Sequence, residues 1–80
     1  MSVTVLLFAS YADAFGASSL SVDLPDKATV GDLLSAISSR PGAHVLPRKP
    51  LVAVNQRYAQ ASTLVSSGDE VALIPPVAGG

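Results

Sequence analysis

The spacing of apolar positions changes several times along this chain, and each change marks an element. Val3-Thr4-Val5-Leu6-Leu7-Phe8 is a continuous, β-branched apolar run, as expected of a buried strand. Ser10 to Ser19 carries Tyr11, Asp13, Phe15 and Gly16 and reads as a short helical turn followed by a loop. Leu20-Ser21-Val22-Asp23-Leu24 then alternates strictly, which predicts a half-buried strand stopped by Pro25. At Val30, Leu33, Leu34 and Ile37 the spacing becomes i, i+3, i+4, i+7, so a helix with one apolar stripe is expected. Thr29 can cap it, Asp32 completes a capping box with the shorter acid, and Pro41-Gly42 ends it. Leu51 to Val54 is a third strand, and Asn55-Gln56 a tight turn into a brief return at Arg57-Tyr58-Ala59. Ser67-Gly68-Asp69 turns the chain again, and Glu70 to Ile74 is the last strand.

The order β-β-α-β-(β)-β, with one substantial helix, predicts a single α+β domain over residues 1–80. Its mixed sheet would be covered on one face only. A right-handed crossover through the helix would set strands one and three parallel. A first strand beside the last would put both at the centre, which is the β-grasp, or ubiquitin-like, arrangement.

Side chains alternate across a sheet, so one helix covers one face. Val3, Val5 and Leu7 share a face of the first strand with Val71 and Leu73 of the last, and these are expected under the helix. Leu6, Phe8 and Ile74 then form an uncovered apolar patch, the mark of a partner site. The competing arrangement folds Tyr11, Phe15 or Leu46 over that face.

Composition narrows the chemistry. Eighty residues leave no room for a second core, and 49% hydrophobic content supplies the first. The absence of cysteine removes disulfides and thiolate metal sites and fits a reducing cytoplasm. Net charge is −1 with dispersed bases, so no nucleic acid is expected as a partner. The apolar start has no preceding Lys or Arg and is too short to span a bilayer, so no membrane association is expected. His44 stands alone and reads as a loop residue. Asp69 and Glu70, neighbours at a strand start, point apart and read as solvated turn residues. No general base, metal cluster or phosphate loop is visible.

The strongest chemical signal is the segment Pro75-Pro76-Val77-Ala78-Gly79-Gly80. Two prolines exclude helix and stiffen the exit, and two glycines make the thinnest possible peptide. Extended, residues 75–80 would reach roughly 20 Å, presenting the α-carboxylate on a slim stalk.

These residues resemble the small subunit of molybdopterin synthase, within the ubiquitin-like sulfur carriers. The resemblance covers essentially the whole chain. It rests on the opening strand into Leu7-Phe8-Ala9, the Thr29-capped helix, Val52-Ala53-Val54-Asn55 before a turn, and the closing run from Gly68 into Pro-Pro-Val-x-Gly-Gly. It implies that the Gly80 carboxylate is adenylated by a partner similar to ubiquitin-activating enzymes, which uses ATP and magnesium; the carrier itself binds no cofactor and no metal. A persulfide sulfur donor then yields a Gly80 thiocarboxylate. It further implies that the tail threads into a large subunit, in a heterotetramer of two small and two large subunits, and gives its sulfur to cyclic pyranopterin monophosphate. Gly79 would allow threading, Pro75, Pro76, Val77 and Ala78 would hold the tail out, and Leu6, Phe8 and Ile74 would dock. Where the family commonly shows an Arg-Glu pair this chain reads Tyr11-Ala12-Asp13, and no role carries over to Ala12. A thiamine-pathway sulfur carrier shares the fold and the diglycine, but its tail typically lacks the Pro-Pro pair. A ubiquitin-like protein modifier is the third reading.

Overall fold

The computed structural model describes residues 1–75. β1 (Ser2–Leu7) leads through α1 (Ala9–Phe15) into β2 (Ser19–Asp23), and α2 (Val30–Ser38) follows. A single 3-10 turn at Ala43–Val45 precedes β3 (Leu51–Val54), β4 (Arg57–Ala59) and β5 (Glu70–Ile74). The five strands lie in the order β2-β1-β5-β3-β4, with β1 and β5 parallel at the centre. This is the expected β-grasp.

One expectation fails. β3 pairs antiparallel with β5, which is parallel to β1, so strands one and three run in opposite directions. The helix leaves from β2, and the crossover therefore sets β2 and β3 in the same sense. The direction of β1 was the wrong reference.

The Ser10 to Ser19 connection is more ordered than a turn. α1 runs for seven residues and stops at Gly16, whose φ of 71° gives a left-handed C-terminal cap. Gly42 lies so close to α1 that a β-carbon there would sit 2.5 Å from the Ala14 carbonyl oxygen. Any side chain at this position would push the two segments apart.

α2 forms where its spacing predicts, and all of its first amides are satisfied. The Thr29 hydroxyl accepts from the Asp32 amide at 3.2 Å while the Asp32 carboxylate accepts from the Thr29 amide at 2.9 Å. The Val30 and Gly31 amides donate to Thr63 O and Ala61 O at 2.8 and 2.9 Å. The helix start and the 60–65 segment therefore hold each other in place. Val30, Leu33 and Ile37 are buried, whereas Leu34 is only half-buried.

The Asn55-Gln56 turn has φ of 52° and 70°, the doubly left-handed geometry of a two-residue hairpin. Its Asn55 side chain also ties β3 to β5. Asn55 Nδ2 donates to Asp69 Oδ1 at 3.1 Å, and the Glu70 amide donates to Asn55 Oδ1 at 3.0 Å. Asp69 Oδ2 accepts from the Ser66 amide at 2.8 Å. Asp69 is thus a turn staple rather than a merely solvated acid, while Glu70 is exposed.

Tyr11 belongs to the core, 2% exposed, and its hydroxyl has no hydrogen-bond partner among the described residues. Burial pushes its pKa above the ordinary 10.0. The unfolded chain loses this proton first, so the contribution to stability is full below pH 10 and declines as pH rises through the folded-state value. Tyr11→Phe should be neutral or stabilising by about 1 kcal/mol, since no bond is lost. It should also flatten the alkaline loss of stability. Urea midpoints measured from neutral to strongly alkaline pH test both; clear destabilisation by Tyr11→Phe would show that the hydroxyl has a partner.

Candidate functional site: the open sheet face and the tail exit

Strand alternation divides the sheet as expected. On the helix side Val3, Val5, Leu7, Val71 and Leu73 are at most 3% exposed. On the other side Leu6, Phe8 and Ile74 come together around one shallow depression, joined by Ala53 and Ala72. Register explains the grouping: Leu6 lies opposite Ala72, and Ala72 opposite Ala53. Phe8 continues β1 in extended conformation, φ −128° and ψ 154°, beside the end of β5, and is 47% exposed.

Tyr11, Phe15 and Leu46 do not cover this face. Tyr11 is part of the central cluster, and Phe15 and Leu46 pack against it. They sit on segments that flank α2 and are drawn to the same side of the sheet.

Four further residues complete the patch. Leu51 pairs with Ile74 and is 51% exposed, and Tyr58 lies opposite Ala53 and is 76% exposed. Ala53 and Ala72 floor the space between them. Parity about the two-residue turn groups Leu51, Ala53 and Tyr58 on one face in the sequence, and the pairing of β3 with β5 shows which face it is. Away from β5 the face turns polar, because Ser2, Thr4, Ser19, Ser21 and Asp23 share its parity, and Ser2 Oγ and Ser21 Oγ hydrogen-bond at 2.8 Å. The apolar half is therefore bounded rather than general.

Its position gives the patch meaning. β5 ends at Ile74, flanked by the end of β1 on one side and by Leu51 at the start of β3 on the other. Pro75, half-buried, is the last described residue. The tail thus departs from the middle of the sheet edge, between Phe8 and Leu51. The remaining tail residues, Pro76, Val77, Ala78, Gly79 and Gly80, lie outside the described residues. Among the described residues no cluster of His, Cys, Asp or Glu suits a metal ion, and no helix is long and apolar enough to cross a membrane.

A β-grasp sheet with a bounded apolar face around its C-terminal exit defines a ubiquitin-like carrier or modifier class. Within it, the chain belongs to the ThiS family, whose model matches residues 5–80. A molybdopterin synthase sulfur carrier subunit from Chlamydomonas reinhardtii is 35% identical over 83 residues, covering 100% of both chains. The crystal structure of SAMP1 from Haloferax volcanii is similar over 100% of both chains, with a TM-score of 0.85 and 34% identity. A putative molybdopterin converting factor subunit 1 from Pyrococcus furiosus gives a TM-score of 0.83 at 29% identity, covering 96% of this chain and 99% of that one.

The division of faces makes a direct prediction. Phe8→Asp should change folding stability by no more than about 1 kcal/mol, as for an exposed site. Leu73→Asp, which buries an unpaired charge, should prevent stable folding. Chemical denaturation followed by circular dichroism checks both, and unfolding of the Phe8 variant would mean that Phe8 belongs to the core.

Proposed function

We propose that this chain is the small, sulfur-carrying subunit of a molybdopterin synthase, acting in a reducing cytoplasm. The observation that carries the reading is the bounded apolar patch surrounding the tail exit, in a chain similar over its full length to carriers of that name. The Gly80 carboxylate is the cargo site. A free carboxylate is a poor electrophile, because its charge repels nucleophiles and oxide is a poor leaving group. An adenylating partner using ATP and magnesium converts it to an acyl-adenylate, releasing pyrophosphate. Persulfide sulfur attacks the carbonyl carbon and displaces AMP, and thiol cleavage of the resulting S–S bond leaves the thiocarboxylate. That group is anionic near neutral pH, and its soft sulfur is a good nucleophile, as thiolates are.

The chain's own part is presentation. Gly79 and Gly80 pass narrow channels that a β-carbon would block, and Pro75 and Pro76 reduce the entropy lost on threading. Leu6, Phe8 and Ile74, with Leu51 and Tyr58, seat the large subunit while the sulfur is given to cyclic pyranopterin monophosphate. A dithiolene needs two sulfurs, so two loaded carriers serve each product, in keeping with two small and two large subunits. This chain binds no cofactor in any step.

One further reading has a specific observation behind it. The archaeal chain with a TM-score of 0.85 is named a modifier, so isopeptide attachment of Gly80 to target lysines is the alternative. The two differ in product: a carrier accumulates free chain with one oxygen replaced by sulfur, a modifier accumulates conjugate ladders.

Intact-mass analysis of chain purified from its native host should show the sulfur-for-oxygen form. Appending one residue after Gly80, or Gly79→Val, should abolish loading without disturbing the fold. Normal pyrophosphate exchange with Gly79→Val in the adenylating partner would contradict the threading role. Phe8→Asp should weaken the large-subunit complex at least about tenfold, the loss expected for one buried aromatic anchor. Calorimetric titration reads this, and unchanged affinity would remove Phe8 from the dock.

A further inference from the structure

The apolar stripe of α2 is wider than the core that receives it. Leu34, half-buried, lines two adjoining depressions that also share Arg48 and Pro50, so the two make one trough along the helix. One end reaches Leu46, and the other reaches Leu51 and Ala59. Its floor is aliphatic, and Arg48 and Lys49 stand exposed on its wall. No residue lining it is Asp or Glu, although the chain carries six acids against five bases. The sign of charge is therefore segregated here, in a molecule that is net acidic.

Two features say what fits. The trough ends against β4, a terminal strand of the sheet whose outer edge pairs with no other strand among the described residues. An extended segment can lie along such an edge and hydrogen-bond to it. The trough is also continuous with the open face through Leu51, which lines the trough and is paired with Ile74 beside the tail exit. A protein seated on the open face reaches the trough by passing over one leucine.

We propose that the trough receives an extended segment of the large subunit bearing aliphatic and acidic side chains, docked while that subunit covers the open face. This rests on the carrier function proposed above. The aliphatic side chains cover Leu34 and Leu51, and the acids pair with Arg48 and Lys49. Charges at such a rim guide approach and fix register, and reversing them sets like charges together. The large subunit then contacts the open face at Phe8 and, across Leu51 at the margin they share, the helix side of the same sheet.

The test is titration of the purified large subunit with the intact chain and with four variants, each first shown by circular dichroism to fold. Arg48→Glu with Lys49→Glu should weaken binding about tenfold or more at low salt. Added salt should weaken the unaltered chain and have much less effect on the double variant. Lys27→Glu, in the turn ahead of α2, should bind as the unaltered chain does. Tight binding by the double variant, with weak binding by Phe8→Asp, overturns the trough and leaves the carrier function standing. Equal weakening by Lys27→Glu and by Lys49→Glu alone also overturns it, because only net charge would then matter. If the unaltered chain does not bind the large subunit at all, the carrier reading fails and the trough proposal with it.

Discussion

One helical layer can cover only one side of a sheet, and the two central strands of this sheet are apolar on both. That mismatch governs the molecule. α2 and the segments around it bury Val3, Val5, Leu7, Val71 and Leu73, each worth roughly 1.5–3 kcal/mol to folding. The intervening residues, Leu6, Ala72 and Ile74, face the other way and are only half-buried among the described residues. Folding therefore draws on one parity of these two strands, and under the function proposed above partner binding draws on the other.

The same division decided what could be read from the sequence. Strict alternation in β2, the 3.6-residue period of α2 and the Thr29–Asp32 box are local signals, and the structure follows them closely. The two faces of β1 and β5 were also legible, because strands with Val, Leu or Ile at both parities leave one set uncovered when only one substantial helix exists. Strand direction was not legible in the same way. It depends on which strand feeds the crossover, and β2, not β1, does so. The packing of Tyr11, Phe15 and Leu46 into the core was hidden for a related reason. Seven residues of α1 are too few to show a clear helical period, and burial of Tyr11 in the core, with Gly42 close against Ala14, places α1 on the α2 side of the sheet.

Of the open face, strand alternation groups Leu6, Phe8 and Ile74, whereas Leu51, Ala53 and Tyr58 are not legible in the same way. Leu51 and Ala53 stand in a run that is apolar at every position, so periodicity alone does not separate their face from that of Val52. Tyr58 is placed only by the hairpin register, which the two left-handed residues Asn55 and Gln56 set. Leu34 illustrates the opposite error. Its helical spacing marks it as core, yet it lies at the margin of the stripe and is left half-buried. A hydrophobic pattern specifies which residues avoid water in some complex, not whether this chain supplies the cover.

The placing of β5 has a mechanical consequence. It lies between β1 and β3 and is hydrogen-bonded along its length to both, and it leads directly into the tail. Force applied to β5 along the strand axis from its C-terminal end would load these ladders in shear, all rungs together, rather than peeling them one at a time. The Asn55–Asp69 clamp at the opposite end braces the strand's origin against the same pull. Such a load would be spread over the three central strands, so a carrier drawn by its C-terminal end would resist unravelling.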